Sequence, residues 1–458
     1  MNLADPIDAS TTATERLFAP GRRAACLGAV ALISMLAFES IAVATAMPAV
    51  AEALHGLPYY ALAFGATLAT SVLGMTAAGQ LCDKRGPYRA ALAGLAAFLG
   101  GLLLAGFASS MPLLVLGRAL QGLGSGVLGV TLYVGVGQVV PQQLHPKLFA
   151  MFAGAWVVPG LVGPALASFL VQVFSWRAVF LAVAVAVPLA AALTLPALRR
   201  VGTGTGEQLR WGAMRWALLA SAGALTLHSA SQQTGTRSAL LFTAGLVAAG
   251  IAARLLLPAG TLRAARGLPT VILLRGLIAA TFASAEAFLP LLLTQHFGWS
   301  LTQAGMALSA GAVTWSIGSA LQARVQRPES RRLLLPGGFG LTAMGLLVVI
   351  APLLFALPAG LVFAGWTVVG LGIGLSFPIL SVLLLKLSPP DSQGSNTSSL
   401  QLCDALTSSA ALALAGLLFD PVTRQVLPVL LLALALVTAA ALISTRAEPG
   451  ASAVSPAQ

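Results

Sequence analysis

Charge is what this chain has least of. Asp, Glu, Lys and Arg make up only 8% of its 458 residues, against about 25% in an average soluble domain, which excludes an ordinary water-soluble globule. Acids are scarcest, 13 beside 25 Lys and Arg, so any acid in apolar surroundings carries weight. Cysteine is nearly missing: Cys26, Cys82 and Cys403 are an odd, scattered set without CxxC spacing, which predicts neither a disulfide framework nor a metal site. Also missing are a Gly-x-x-x-x-Gly-Lys-(Ser/Thr) phosphate loop, a His-Glu-x-x-His pair and a Gly-x-Ser-x-Gly elbow. Nucleotide-driven work, zinc hydrolysis and serine-hydrolase chemistry thereby lose their usual residues. No cofactor and no catalytic residue is expected.

What is present is apolar: 58% hydrophobic residues and a mean hydropathy of +0.91. The apolar runs are about 20 residues long, enough for a helix to cross a bilayer and too long for barrel strands. Many of the 48 glycines fall inside them, as where membrane helices pack closely. The expected fold is all-α, with fourteen transmembrane spans in the order six, two, six. The first six fall near 24–48, 60–81, 88–107, from 112, 148–171 and from 177 to 198, the fifth broken by Pro159 and Pro164. Two shorter runs follow at 214–230 and 239–257. The last six lie near 271–293, 301–323, 333–353, 359–385, 399–418 and 426–443. The expected organisation is a cytoplasmic tail (1–22), a six-helix bundle (23–198), a basic linker with two extra helices (199–268), a second six-helix bundle (269–446) and a second cytoplasmic tail (447–458).

The positions of the charges support this threading. With the N-terminus in the cytoplasm, outside segments receive only Arg177, Arg237 and Arg424, while Arg118 and Arg275 lie within or at the edge of apolar runs. Every other Lys and Arg falls inside, as expected where basic loops resist translocation. The net charge of +12 is thus a membrane pattern rather than a nucleic-acid surface. A weak repeat links Met47-Pro48, ahead of Gly56, with Leu289-Pro290, ahead of Gly298.

Between spans 2 and 3 stands a charged stretch, read as a loop, with Gly79, Leu81, Asp83, Lys84 and Gly86. Gly79 is expected to let two helices approach, and Gly86-Pro87 to turn the chain. The pattern resembles the signature loop of the major facilitator superfamily of transporters, with Pro87 and Tyr88 where that family usually has basic residues. Arg118, Gln121, Gly122 and Gly124 match the superfamily's second signature, Arg-x-x-Gln-Gly-x-Gly. An arginine at that depth costs at least about 2.5–3.5 kcal/mol on insertion scales and needs a partner, for which Glu39 is expected. Gly160, Gly163 and Pro164, followed by Ala167 and Ser168 in place of two glycines, resemble the antiporter signature of proton-coupled exporters. Phe38 to Pro48, with Glu39 in place of the usual aspartate, looks like the first-span signature of the fourteen-span drug:proton antiporters.

The resemblance implies a major facilitator fold and proton-coupled efflux of small, amphipathic or drug-like molecules by alternating access. It places the chain in the plasma membrane, among lipids, as a monomer with both termini cytoplasmic. Glu39 sits nine residues before Pro48, about 13 Å along a helix, where a carboxyl can bind and release a proton as its surroundings alternate. Glu286 and Asp404 are the other acids in apolar runs, each a second protonation site or a counter-charge for a cationic substrate. His228 reads first as a structural histidine and second as a proton relay. Rival readings are a proton-coupled importer or uniporter, which Gly163-Pro164 speaks against, an exporter of a lipid or metabolite, and a membrane-embedded enzyme, which lacks a nucleophile or ligand set.

Overall fold

The structure is a computed structural model, and it describes residues 18–19, 22–141, 144, 148, 151–152, 154–201, 211–233, 235–325, 328–389 and 392–447. Most of both expected tails and of the linker at 199–212 lie outside the described residues. Among the described residues thirteen long helices carry the fold: α1 Arg23–Ala53, α2 Tyr60–Gly106, α3 Met111–Val139, α4 Val157–Val173, α5 Arg177–Arg200, α6 Trp211–Ala230, α7 Gly235–Leu256, α8 Leu268–Leu291, α9 Leu301–Arg324, α10 Pro328–Phe355, α11 Gly360–Leu387, α12 Gln393–Leu418 and α13 Leu427–Ile443. A π-helical turn, Leu292–His296, extends α8. Among the described residues there is no strand beyond one isolated bridge, Asp420 to Gln425.

Helix α2 departs from the sequence reading. The charged stretch at 79–89 is not an open loop: the chain stays helical through Arg85, and the whole turn falls on Gly86 (φ 78°, ψ 161°). That backbone region is open essentially to glycine alone, and Pro87 then suits the first turn of the returning limb. Asp83, Lys84, Arg85 and Arg89 point to the surface, so a helical end serves the charges as well as a loop. Gly79 needs correction. A Cβ there would meet nothing within 4 Å, because close approach happens further along the limb, where Gly74 presses on Leu123 of α3.

Among the described residues eleven helical stretches are long and apolar enough to cross a membrane, the bent Leu57–Gly106 counting as one, and Val157–Val173 is apolar but shorter. Helix α6, with Arg215 and His228 in it, is not among them. The expected fifth span starts late: the chain turns at Ala155–Trp156, and α4 begins at Val157.

The helices pack in two sets. Helices α2 and α3 form the tightest pair, with α1 against α4 and α5, while α10 and α9 pack on α11, and α8 on α12 and α13. The two sets meet where α2 touches α12, α4 touches α9 and α1 touches α8. The hairpin α6–α7 sits astride this seam, α6 contacting both α2 and α12. Near the Tyr60 end, Tyr60 Oη donates to Ala287 O (2.8 Å), Ser168 Oγ to Leu301 O (3.1 Å) and Gln172 Nε2 to Thr302 Oγ1 (2.6 Å). These bonds tie the first set to the second.

Candidate functional site

Glycines place the first charge pair. Helix α3 is wedged between the two limbs of α2: Gly122 faces the carbonyl of Thr67 on one limb, and Gly124 faces the Phe98 backbone on the other. With no Cβ at either position the three backbones close up, and Thr67 Oγ1 donates to Arg118 O (3.2 Å) while Thr70 Oγ1 donates to Ala119 O (2.6 Å). This fixes the rotation of α3 so that Arg118 turns inward toward α1. Its Nη1 donates to Glu39 Oε1 and to Gln121 Oε1 (2.6 Å), and its Nε to Ala63 O (3.1 Å). Glu39 is 4% exposed and Arg118 3%, so this arginine does not reach for a headgroup. Two charges held out of water stay there only when matched to each other and to further hydrogen bonds. Neutralising Glu39 with a proton breaks that match and frees Arg118 for another acceptor, so the cluster is chemically able to couple a proton to rearrangement.

A second charge pair lies in the other set, and sequence reasoning missed it. Arg275 of α8 donates through Nε to Asp404 Oδ2 of α12 (3.0 Å) and through Nη1 to Ser381 Oγ of α11 (2.8 Å). Its guanidinium also lies 3.3 Å from the Phe377 ring centroid. An arginine and an aspartate in two apolar runs were the available signal, but Arg275 reads from sequence as a residue at the edge of its run. Asp404 Oδ1 is buried without a hydrogen-bond partner. Among the described residues these two pairs are the ion pairs, and no cluster of three or more His, Cys, Asp or Glu could hold a metal ion.

The remaining candidates are dispersed. Glu286 on α8 is partly exposed between the buried Ala285 and Ala287, and among the described residues no ion pair reaches it. On α4, Pro159, Gly160, Gly163, Pro164, Ala167 and Ser168 form one buried face, opposite the exposed Val158, Leu161, Val162, Leu166 and Phe169. A Cβ on Gly163 would meet Ile41 and Phe38 of α1, and one on Gly160 would meet Ala312 of α9 at 3.2 Å. The small face of α4 therefore lies between the two sets. His228 of α6 is fully buried on Gly65 of α2, its Nε2 3.4 Å from Ser409 Oγ of α12. Asp83, Lys84 and Gly86 stand apart from all of these, at the bend of α2.

Comparison with known proteins agrees with the architecture. The chain is 28% identical over 417 residues to the MdtD protein of Klebsiella pneumoniae, whose name ties it to multidrug resistance, with 85% of each chain covered. It is 26% identical over 426 residues to a protein of Mycobacterium tuberculosis named as a probable multidrug-efflux transporter, with 86% of each covered. Among solved structures it superposes on a POT family transporter bound to 5-aminolevulinic acid, with a TM-score of 0.70 at 15% identity over 94% of this chain and 96% of that one. It also superposes on a D-xylose-proton symporter, with a TM-score of 0.63 at 14% identity over 92% and 98%. At those identities the likeness speaks for the fold alone. The sequence profile of the Major Facilitator Superfamily matches residues 27–412 and again 271–457, and the chain belongs to that superfamily of transporters.

Proposed function

We propose that this transporter exports small amphipathic or drug-like molecules in exchange for protons, by alternating access. The observation that carries the reading is the buried Glu39–Arg118–Gln121 cluster: the one acid in the first-span signature sits on the arginine of the α3 signature, out of water. Glu39 takes the proton, Arg118 answers the change in its charge, and Asp404 and Glu286 serve as further protonation sites. The names of the curated relatives point to drug efflux, and the glycine-proline face of α4 between the two sets suits an exporter. Fourteen crossings follow if both limbs of α2 and both helices of the α6–α7 hairpin span, with the termini in the cytoplasm of a cell carrying the protein in its plasma membrane. In that orientation the bonds at Tyr60, Ser168 and Gln172 lie outside, and the conformation is one sealed toward the exterior. Gly79, Asp83, Lys84 and Gly86 then mark the inner bend of α2, where the halves part and close.

Reconstitution into liposomes with an imposed pH gradient tests the reading. A transported compound is expected to collapse the gradient and to move against the proton flow. Glu39→Gln should abolish the collapse. Gradient collapse by Glu39→Gln at the wild-type rate would remove the coupling assignment, and co-movement of compound and proton would make the protein an importer.

A further inference from the structure

Two short turns at one end of the second helix set carry charges that neither the exchange scheme nor the helix packing uses. Between α7 and α8 the chain runs through a 3-10 turn, Thr261–Arg263, and beyond α13 through another, Ser444–Ala447. Gly260 (φ 87°) and Gly267 (φ 85°) bend the first connection sharply on either side, in a backbone region that glycine enters without strain. Its polar groups are satisfied locally: Ala265 N donates to Gly260 O (3.1 Å), Thr261 Oγ1 to Pro258 O (2.8 Å) and Thr270 Oγ1 to Ala265 O (2.7 Å). One bond joins the two turns, from Gly267 N to Arg446 O at 2.8 Å.

Burial sorts their side chains. Thr261, Ala264 and Gly267 face inward on the first connection, as do Ser444 and Ala447 on the second. Arg263, Arg266 and Arg446 are exposed, and the joining bond sets Arg266, the residue before Gly267, beside Arg446. Leu262 adjoins Arg263 and is 52% exposed, and Leu442, four residues before Arg446, is 76% exposed. Both lie at the ends of apolar, membrane-crossing helices. Their side chains therefore meet hydrocarbon where the arginines reach the headgroups.

The protein itself leaves this charge unanswered. None of the three arginines has an ion pair among the described residues. Of the acids described, Glu39, Glu286 and Asp404 lie within spans, Glu52 and Asp420 at the far ends of α1 and α13, and Asp83 at the bend of α2 in the other helix set. Guanidinium groups match phosphate oxygens with paired donors, and clustered arginines at a membrane surface attract anionic lipid. A soluble anion would satisfy the arginines and leave the two leucines bare.

We propose that the two turns form a docking site for one anionic phospholipid, its phosphate among Arg263, Arg266 and Arg446 and its acyl chains along Leu262 and Leu442. In the orientation given above, the lipid comes from the cytoplasmic leaflet. Helix α7 packs mainly on α6, so the inner end of the hairpin has little protein to hold it. The bound lipid ties the connection after that hairpin to the end of α13 and so clamps it to the second helix set. This site depends neither on the compound exported nor on the acid that carries the proton.

The test compares phosphatidylglycerol with phosphatidylcholine on delipidated full-length protein in detergent, by native mass spectrometry and thermal melting, with inorganic phosphate as the soluble anion. The wild type should hold phosphatidylglycerol at least about tenfold more tightly than phosphatidylcholine and melt higher with it, while phosphate alone gives no such rise. Arg263→Gln/Arg266→Gln/Arg446→Gln should lose this preference. Arg199→Gln/Arg200→Gln, which removes two exposed arginines at the end of α5, should keep it. A folded triple variant with the wild-type preference overturns the proposal, and so does equal loss in the Arg199/Arg200 variant, which would mean diffuse attraction to basic ends. A rise with inorganic phosphate equal to that with phosphatidylglycerol would make the site one for a soluble anion and overturn the lipid. Should the triple variant fail to fold, phosphatidylglycerol carrying a photoreactive group in its acyl chain decides on the wild type. Labelling at Leu262 or Leu442, competed by unlabelled phosphatidylglycerol and not by phosphatidylcholine, supports the site, and labelling at neither overturns it.

Discussion

Arg118 and Glu39 form a pair in which neither partner can be removed alone at low cost. Truncating Arg118 to alanine leaves a carboxylate buried at 4% exposure without its cation, and breaking a buried pair this way costs about 3–5 kcal/mol. Thermal melting in detergent should show Arg118→Ala strongly destabilised and the double variant Glu39→Gln/Arg118→Ala partly rescued. Equal melting of the single and double variants would mean that the two groups are not coupled. These residues were legible in the sequence because charge is so scarce that each ionised group in an apolar run stands out. Arg275 and Asp404 were harder to pair, since 129 residues separate them and neither sits in a recognisable pattern.

Glycine positions that look alike in sequence diverge once the helices are packed. Gly79 and Gly122 are both glycines of signature stretches, yet a Cβ at Gly79 meets nothing, while one at Gly122 collides with the Thr67 carbonyl. Gly79→Ala is therefore expected to shift stability by no more than about 0.5 kcal/mol, as at an ordinary surface position. Gly122→Val should drive α3 off α2, swing Arg118 away from Glu39 and lower both folded yield and melting temperature. A folded Gly122→Val protein melting like the wild type would contradict the wedge. Gly86→Ala should cost about 1–3 kcal/mol for its backbone region alone, read out by the same melting assay. The bend itself was legible from Gly86-Pro87, but the helical course up to Arg85 was not, because exposed charges suit a loop and a helix end equally.

Viewed whole, the protein is two helix sets joined by a hairpin, α6–α7, that grips both through α2 and α12. Among the described residues hydropathy supports eleven helical stretches as spans, and α6 is not one of them; Arg215 and His228 dilute its apolar run. Single cysteines at Arg237 and Arg263, in a background with Cys26, Cys82 and Cys403 replaced, should be labelled from opposite faces of the membrane. Labelling from one face would remove the hairpin from the bilayer. If the seal at the Tyr60 end must open during transport, cysteines at Gln172 and Thr302, whose side chains are hydrogen-bonded at 2.6 Å, joined by a short thiol crosslinker should stop turnover. Full turnover after complete crosslinking would place the moving interface elsewhere.

The most direct test of the exchange is proton release from the purified protein in weakly buffered detergent on adding a transported compound. The wild type should release protons in step with compound binding, and Glu39→Gln, while still folded, should release fewer. Release by Glu39→Gln equal to that of the wild type would contradict the assignment of the exchanged proton to Glu39.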